Sequence, residues 1–299
     1  MSNNYHSGFV SIVGRTNVGK STLLNQLLGE KLSIVSDKPQ TTRNRIQCIL
    51  SIDEGQAVFI DTPGLHKPKT ELGERMNRYA SETLADVDLI LFVTTADSQE
   101  IGAGDKLIIE RLKQIKVPIF LVLNKSDLSS AEQCSRLALL YKEAFQPIEI
   151  HAISALTGEA VRELSESIIQ ALPLGDQYYP DDMVTDQTER FVAAEIVREK
   201  VMLLMRDEIP HGVAVVVESF KEKENDLLVI EAMIYVDRES PKRMIIGSKG
   251  NMLKQIGSLA RQELEAFFGC RVFLDLRVKV SEGWRNNERA LREFGYQKR

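Results

Sequence analysis

The feature that most constrains this chain is Gly14-Arg15-Thr16-Asn17-Val18-Gly19-Lys20-Ser21, a G-x-x-x-x-G-K-S stretch. An apolar run, Phe9 to Val13, precedes it, and leucines at 23, 24, 27 and 28 follow before Gly29. Run, loop and helical spacing predict a strand, a tight glycine turn and a helix, the context in which this pattern cradles phosphate. The glycines let the backbone curl so that its N–H groups converge on phosphate oxygens, and the helix N-terminus adds partial positive charge. Gly14, Arg15, Thr16, Asn17, Val18, Gly19, Lys20, Ser21 and Thr22 are therefore candidate nucleotide contacts. Lys20 is expected to neutralise the β- and γ-phosphates, and the Ser21 hydroxyl to ligate Mg2+. The bland alternative is an ordinary glycine turn between strand and helix.

Short apolar runs alternate with helical patterns up to about residue 172: Phe9 to Val13, Ile46 to Ile52, Val58 to Ile60, Leu89 to Thr94, Ile119 to Leu123 and Ile148 to Ile153. That alternation predicts an α/β domain, a mixed, mainly parallel sheet with helices on both faces. The second and third runs are separated by a short stretch that opens with the turn formers Asp53, Glu54 and Gly55, too few residues for a crossover helix, so these two are expected to form an antiparallel hairpin. From 173 to 187 the pattern lapses into PLGDQYYPDDMVTDQ, with two prolines and four aspartates. The expected organisation is a nucleotide-binding domain over 1–172, a linker over 173–187 and a second domain over 188–299.

Asp61-Thr62-Pro63-Gly64 ends the third run, where Asp61 can reach the metal through water and the Gly64 N–H can approach a γ-phosphate. Asn124-Lys125-Ser126-Asp127 follows the buried run at 119–123. An aspartate accepts from both N1–H and the 2-amino group of guanine, whereas adenine offers neither donor, so Asp127 selects GTP over ATP. Asn124 is expected to fix the loop and touch the base edge, Lys125 to lie along the base face, and a backbone N–H of Ser154-Ala155-Leu156 to reach the guanine O6. Residues 36–43, SDKPQTTR, have the composition of a mobile loop. Thr42, or else Thr41, is the candidate for ligating Mg2+ only when the γ-phosphate is present, which makes the segment a candidate switch. The alternative is a passive connector.

Composition excludes several classes. With 43% hydrophobic residues over 299 positions, each domain has enough apolar material for a core. No apolar run approaches the roughly 20 residues of a membrane-spanning helix, and the start MSNNYHSG lacks the pattern of a cleaved signal, so a cytoplasmic location is expected. Cys48, Cys134 and Cys270 are odd in number and widely spaced, which argues against disulfides and structural zinc. The net charge of −5 conceals an asymmetry: residues 181–241 hold 7 Lys+Arg against 15 Asp+Glu, and residues 242–299 hold 13 against 6. A basic end favours a polyanion partner, with solvated helix faces as the alternative.

The second half reads helix, strand, strand, helix with a loop, strand, helix, an α+β order. Its loop is Met244-Ile245-Ile246-Gly247-Ser248-Lys249-Gly250, a G-x-x-G motif between helical segments. Together with QTTR, DTPGLH, YPDDMVTDQTERF and EIVREK, these motifs resemble the Era family of P-loop GTPases, whose GTPase domain precedes a type II KH domain; the resemblance covers essentially the whole chain. It implies a GTPase that binds the 3′ end of small-subunit (16S) ribosomal RNA and assists maturation of that subunit, as an expected monomer. The family is also described as peripherally associated with the inner membrane, for which no amphipathic or lipidation signal is visible here.

The residues agree with an RNA-binding reading. Gly247 and Gly250 allow close approach to a strand of nucleotides, Ser248 lies between them, Lys249 can meet phosphate, and Ile245 and Ile246 can floor unstacked bases or belong to the core. Lys242, Arg243 and Lys254 are further phosphate candidates. Two departures bear on mechanism. Leu65 stands where Ras-like enzymes place a water-orienting glutamine, so slow intrinsic turnover is expected. Thr16 stands where the family usually has proline. The resemblance also suggests that Asn17 helps to hold a monovalent cation, K+. The catalytic set is then Asn17, Lys20, Thr42, Asp61 and Gly64. The runner-up reading is a GTP-regulated interaction module whose basic C-terminal region docks on protein or lipid, with the KH fold as scaffold.

Overall fold

A computed structural model describes residues 4–32, 46–61, 70–74, 86–205, 209 and 212–296, with only the backbone of Ile46 and Asp61. The chain divides into two compact units that part between Asp186 and Gln187. Residues 70–74 cluster with the second unit, where the Glu71 amide donates to Asn286 Oδ1 at 3.1 Å.

The first unit is built on a six-stranded sheet in the order β2-β3-β1-β4-β5-β6. Its strands are β1 (His6–Val13), β2 (Ile46–Ile52), β3 (Gly55–Asp61), β4 (Leu89–Thr95), β5 (Ile119–Asn124) and β6 (Glu149–Ala152). Of the strand pairs described in this sheet, only β2–β3 is antiparallel, as the short Asp53-Glu54 turn requires. Every residue of β4 is buried, the pattern of a central strand covered on both faces. The described helices of this unit are α1 (Lys20–Leu28), α2 (Ala103–Leu112), α3 (Ala131–Phe145) and α4 (Val161–Ala171). Ser130 caps α3 by accepting from the Gln133 amide, and α1 stops at Gly29, whose φ of 68° ends the helix. The connections after β1 and β4 leave toward opposite edges of the sheet, which opens a crevice at the carboxyl ends of these neighbours.

Residues 173–186 are stitched to this sheet. Ser7 N donates to Pro173 O (3.0 Å), Ile49 N to Val184 O (2.9 Å), and Thr185 Oγ1 to Gln47 O (2.8 Å). The buried Gln56 amide accepts from Tyr178 N and Tyr179 N and donates to Tyr179 O. Prolines and aspartates break helical and strand periods without making a segment loose, because its backbone groups find partners on strands far away in sequence.

The second unit places α5 (Glu189–Leu204), α6 (Glu239–Ile246) and α7 (Asn251–Phe268) with a three-stranded sheet, β7 (Val213–Lys223), β8 (Leu227–Val236) and β9 (Arg271–Val280). The β7–β8 pair is antiparallel, while β8 and β9 run parallel and are joined across α6 and α7. Strict alternation along β8 buries one face, with Ile230, Ile234 and Val236 packed against Val197, Val201, Ile256, Ala260 and Leu264 of the helices. Arg198 on α5 is wholly buried, held by Glu195 through bonds of 2.7 and 2.6 Å. The short α8 (Glu288–Glu293) follows the buried Trp284. Among the described residues, no helix is long and apolar enough to cross a membrane.

Candidate nucleotide site and RNA-binding loop

The phosphate loop leaves β1 at the crevice and enters α1 through Gly19. Gly19 has φ 94°, and a β-carbon there would collide with Asn124 Nδ2, so the position needs glycine twice over. Among the described residues no side-chain hydrogen bond caps α1, and a helix N-terminus of this kind suits an anion. Lys20 Nζ donates back to the carbonyls of Gly14 (2.9 Å) and Arg15 (2.6 Å), so its ammonium is held across the loop it follows. Val18 is buried, Ser21 and Thr22 are half-buried, and Thr16 and Asn17 are exposed, Asn17 with φ 66°.

Asn124, at the end of β5 and 2% exposed, ties three loops together. Its Nδ2 donates to Val18 O at 2.8 Å, and its Oδ1 accepts from Lys125 N (2.8 Å) and Ala155 N (2.9 Å). The loop-fixing role expected of Asn124 is thus visible in the geometry, whereas both bonds to Oδ1 are internal to the protein. The Ala155 amide, one of those expected near the guanine O6, is committed to the same atom. Lys125 adopts φ 64°, ψ 39°, an uncommon conformation for a residue with a side chain, and lifts the chain into the short turn that carries Asp127. Asp127 is exposed, Leu156 strongly so, and Ser154 and Ala155 are buried.

Asp61 ends β3 opposite Ile12 of β1, two residues before the phosphate loop begins. Its backbone therefore lies at the same edge of the sheet as Ser21's loop. Thr41, Thr42, Thr62, Pro63, Gly64, Leu65 and the rest of the candidate switch at 36–43 lie outside the described residues, as does the side chain of Asp61.

Sequence reasoning missed a buried polar cluster behind the loop. Asp105, 1% exposed on the first turn of α2, accepts from Arg15 Nε (2.8 Å), Thr94 Oγ1 (3.0 Å) and Tyr141 OH (2.9 Å). Arg15 was a candidate nucleotide contact; its guanidinium Nε is directed to Asp105. The available signal was an arginine inside a phosphate loop, which calls for a counter-ion, but nothing local says which.

In the second unit, α6 ends at Gly247 (φ 71°) and α7 begins after Gly250 (φ 79°), with Lys249 between them also at positive φ. A β-carbon on Gly247 would press on Met252, 2.6 Å away, whereas Gly250 faces open space and needs glycine for its backbone alone. Ser248, Lys249, Arg243 and Lys254 are exposed, Ile246 is half-buried, and Lys242 lies 3.5 Å from Glu239. Ile245 is corrected to a core residue: it is fully buried among the apolar side chains of this unit and cannot floor a base. Met244, 53% exposed beside the loop and absent from the expected set, presents the apolar surface instead. Among the described residues no side-chain hydrogen bond caps α7.

A family model described as a 50S ribosome-binding GTPase matches residues 9–125, and one described as a KH domain matches residues 208–285. The GTPase Era of Caldanaerobacter subterraneus subsp. tengcongensis is 51% identical, covering 98% of each chain. That of Clostridium kluyveri is 51% identical over 97% of this chain and 99% of its own. Two solved structures superpose over 98% of this chain and 100% of theirs at 42% identity. One is an Aquifex aeolicus Era variant bound to GDP.AlF4- (TM-score 0.92), and the other is Era in complex with MgGDPNP and nucleotides 1506–1542 of 16S ribosomal RNA (TM-score 0.93).

Proposed function

This chain belongs to the Era family of GTPases, and on that premise we propose that it binds the 3′ end of 16S ribosomal RNA through its KH domain and serves maturation of the small ribosomal subunit. That it is a GTPase with a KH domain follows from the family itself. The observation that carries the finer reading is the likeness, over 98% of this chain, to an Era that holds MgGDPNP and nucleotides 1506–1542 of 16S ribosomal RNA together.

The chain's own residues divide the work. The amides of residues 14–22 and the Lys20 ammonium receive the phosphates, and Asp127 reads the guanine edge while Asn124 holds the surrounding loops in register. The hydroxyls of Ser21 and Thr42 and the carboxylate of Asp61 are hard oxygen donors, and Asp61 and the Ser21 loop share one sheet edge, so the donor set fits Mg2+. Bound there, Mg2+ supplies charge neutralisation on the β- and γ-phosphates. Leu65 cannot orient water, and slow intrinsic turnover is the consequence. Asn17, exposed on the loop, is the candidate for holding K+; equal GTPase rates in potassium and sodium buffers, unchanged by Asn17→Ala, would exclude it.

On the KH side, Gly247 to Gly250 bring backbone to the RNA strand, Lys249, Arg243, Lys242 and Lys254 meet phosphates, and Ile246 and Met244 offer apolar contact. In the switch reading, GTP orders residues 36–43 and the connector passes that change to the RNA surface. The test is the affinity for an RNA of the 16S 3′ end at several salt concentrations. An affinity falling linearly with log salt marks phosphate neutralisation. Salt-independent or absent binding would favour docking on protein or lipid.

A further inference from the structure

The carboxylate of Asp105 is buried behind the phosphate loop and belongs to no part of the expected site. Burial of a charge is unfavourable unless it is paired and hydrogen-bonded, and Asp105 meets both conditions. Arg15 supplies the opposite charge through Nε at 2.8 Å, while Thr94 Oγ1 and Tyr141 OH donate to the other oxygen at 3.0 and 2.9 Å. Burial pushes the Tyr141 phenol well above its ordinary value, so it remains a donor over the working pH range. The Arg15 stem lies across the start of α2, where a β-carbon at Gly104 would stand 2.5 Å from Arg15 Cδ. The side chain of Arg15 is therefore held at Nε by Asp105 and along its stem by the helix.

Its backbone makes the next link. The Arg15 carbonyl, with that of Gly14, accepts from Lys20 Nζ. Asp105, Arg15 and Lys20 thus form one mechanical series running from the core to the ammonium that meets the phosphates. We infer that Asp105 is a positioning residue for GTP hydrolysis: it anchors Arg15, and the anchored Arg15 carbonyl sets the place of Lys20. The inference rests on the phosphate-loop site described above. Because the Lys20 ammonium is shared between β- and γ-phosphates, a small displacement is felt more in the transition state than in ground-state binding.

The experiment measures kcat, KM for GTP and melting temperature for the full chain and for Arg15→Gln, Asp105→Asn, the double variant and Tyr141→Phe. Arg15→Gln and Asp105→Asn are each expected to lower kcat about tenfold with little change in KM, since displacements near 1 Å cost rates of this order or more. The double variant is expected to match either single one, because both cut the same series. Tyr141→Phe, which leaves the Arg15–Asp105 pair in place, is expected to lower the melting temperature and to cost kcat less than Arg15→Gln or Asp105→Asn. Arg15 has a side chain 35% exposed, so its variant keeps the test alive if Asp105→Asn fails to fold. Wild-type kcat in Arg15→Gln, or losses that multiply in the double variant, would overturn the inference and leave Asp105 a purely structural residue. Absence of turnover in the unmodified chain would instead overturn the GTPase reading on which it rests.

Discussion

Replacing Asn124 with alanine removes one side chain and releases three loops. The amide makes three bonds to backbone, to Val18 O, Lys125 N and Ala155 N, at 2.8, 2.8 and 2.9 Å, from a position only 2% exposed. A buried backbone group left without a partner costs about 1–3 kcal/mol. Taking ~1 kcal/mol for each of the three gives a destabilisation of about 3 kcal/mol, a large share of the ~5–15 kcal/mol that holds a domain folded. The same bonds join the phosphate loop to both base-reading loops, so nucleotide affinity should fall with stability. The assay is urea unfolding followed by circular dichroism, in which the transition of the GTPase domain is identified by its shift on adding GDP. Asn124→Asp keeps both acceptor bonds but turns a buried carboxylate oxygen toward Val18 O, so its midpoint should also lie well below that of wild type. A shift below about 0.5 kcal/mol for the alanine variant, within the range of an ordinary surface change, would refute the claim that Asn124 ties the loops together.

Other substitutions separate the remaining parts. Asp127→Asn should move nucleotide preference from guanine toward xanthine in competition binding; unchanged preference would remove Asp127 from base reading. Gly250→Asp places a side chain at φ 79°, costing about 1–2 kcal/mol locally, and should abolish RNA binding while GTP hydrolysis continues; intact RNA affinity would deny the loop its role. Gln56→Ala removes the amide that holds Tyr178 and Tyr179, so their backbone protons should exchange with solvent faster by the equivalent of about 2 kcal/mol. Unchanged exchange would mean that the other contacts of residues 173–186 suffice.

The elements that carry the candidate nucleotide site were largely legible because their signals are local. Loop, lysine and helix start occupy eight consecutive positions, Asn124 to Asp127 four, and each follows a strand whose apolar run is plain in the chain. The hairpin of β2 and β3 was legible for the same reason, since the short stretch opening with Asp53, Glu54 and Gly55 leaves no room for a crossover. What escaped is what depends on distant partners. Asn124 meets Val18 across 106 positions and Arg15 meets Asp105 across 90. Residues 173–186 show no period of their own because their order is imposed by β1, β2 and β3. Ile245 and Ile246 could not be told apart by type, and the rotation of α6 alone decides that Ile245 turns inward. Met244 was passed over because an exposed methionine at a helix end carries no signal until the loop beside it is seen.

In the proposed function the nucleotide state governs contact with ribosomal RNA, and fluorescence anisotropy tests this directly. A labelled RNA carrying the 3′ end of 16S ribosomal RNA is titrated with the protein holding either GDP or a non-hydrolysable GTP analogue. Tighter, salt-sensitive binding is expected with the analogue. Equal affinity in the two states would contradict the gating and leave a constitutive RNA-binding GTPase, and no binding in either state would contradict the RNA function itself.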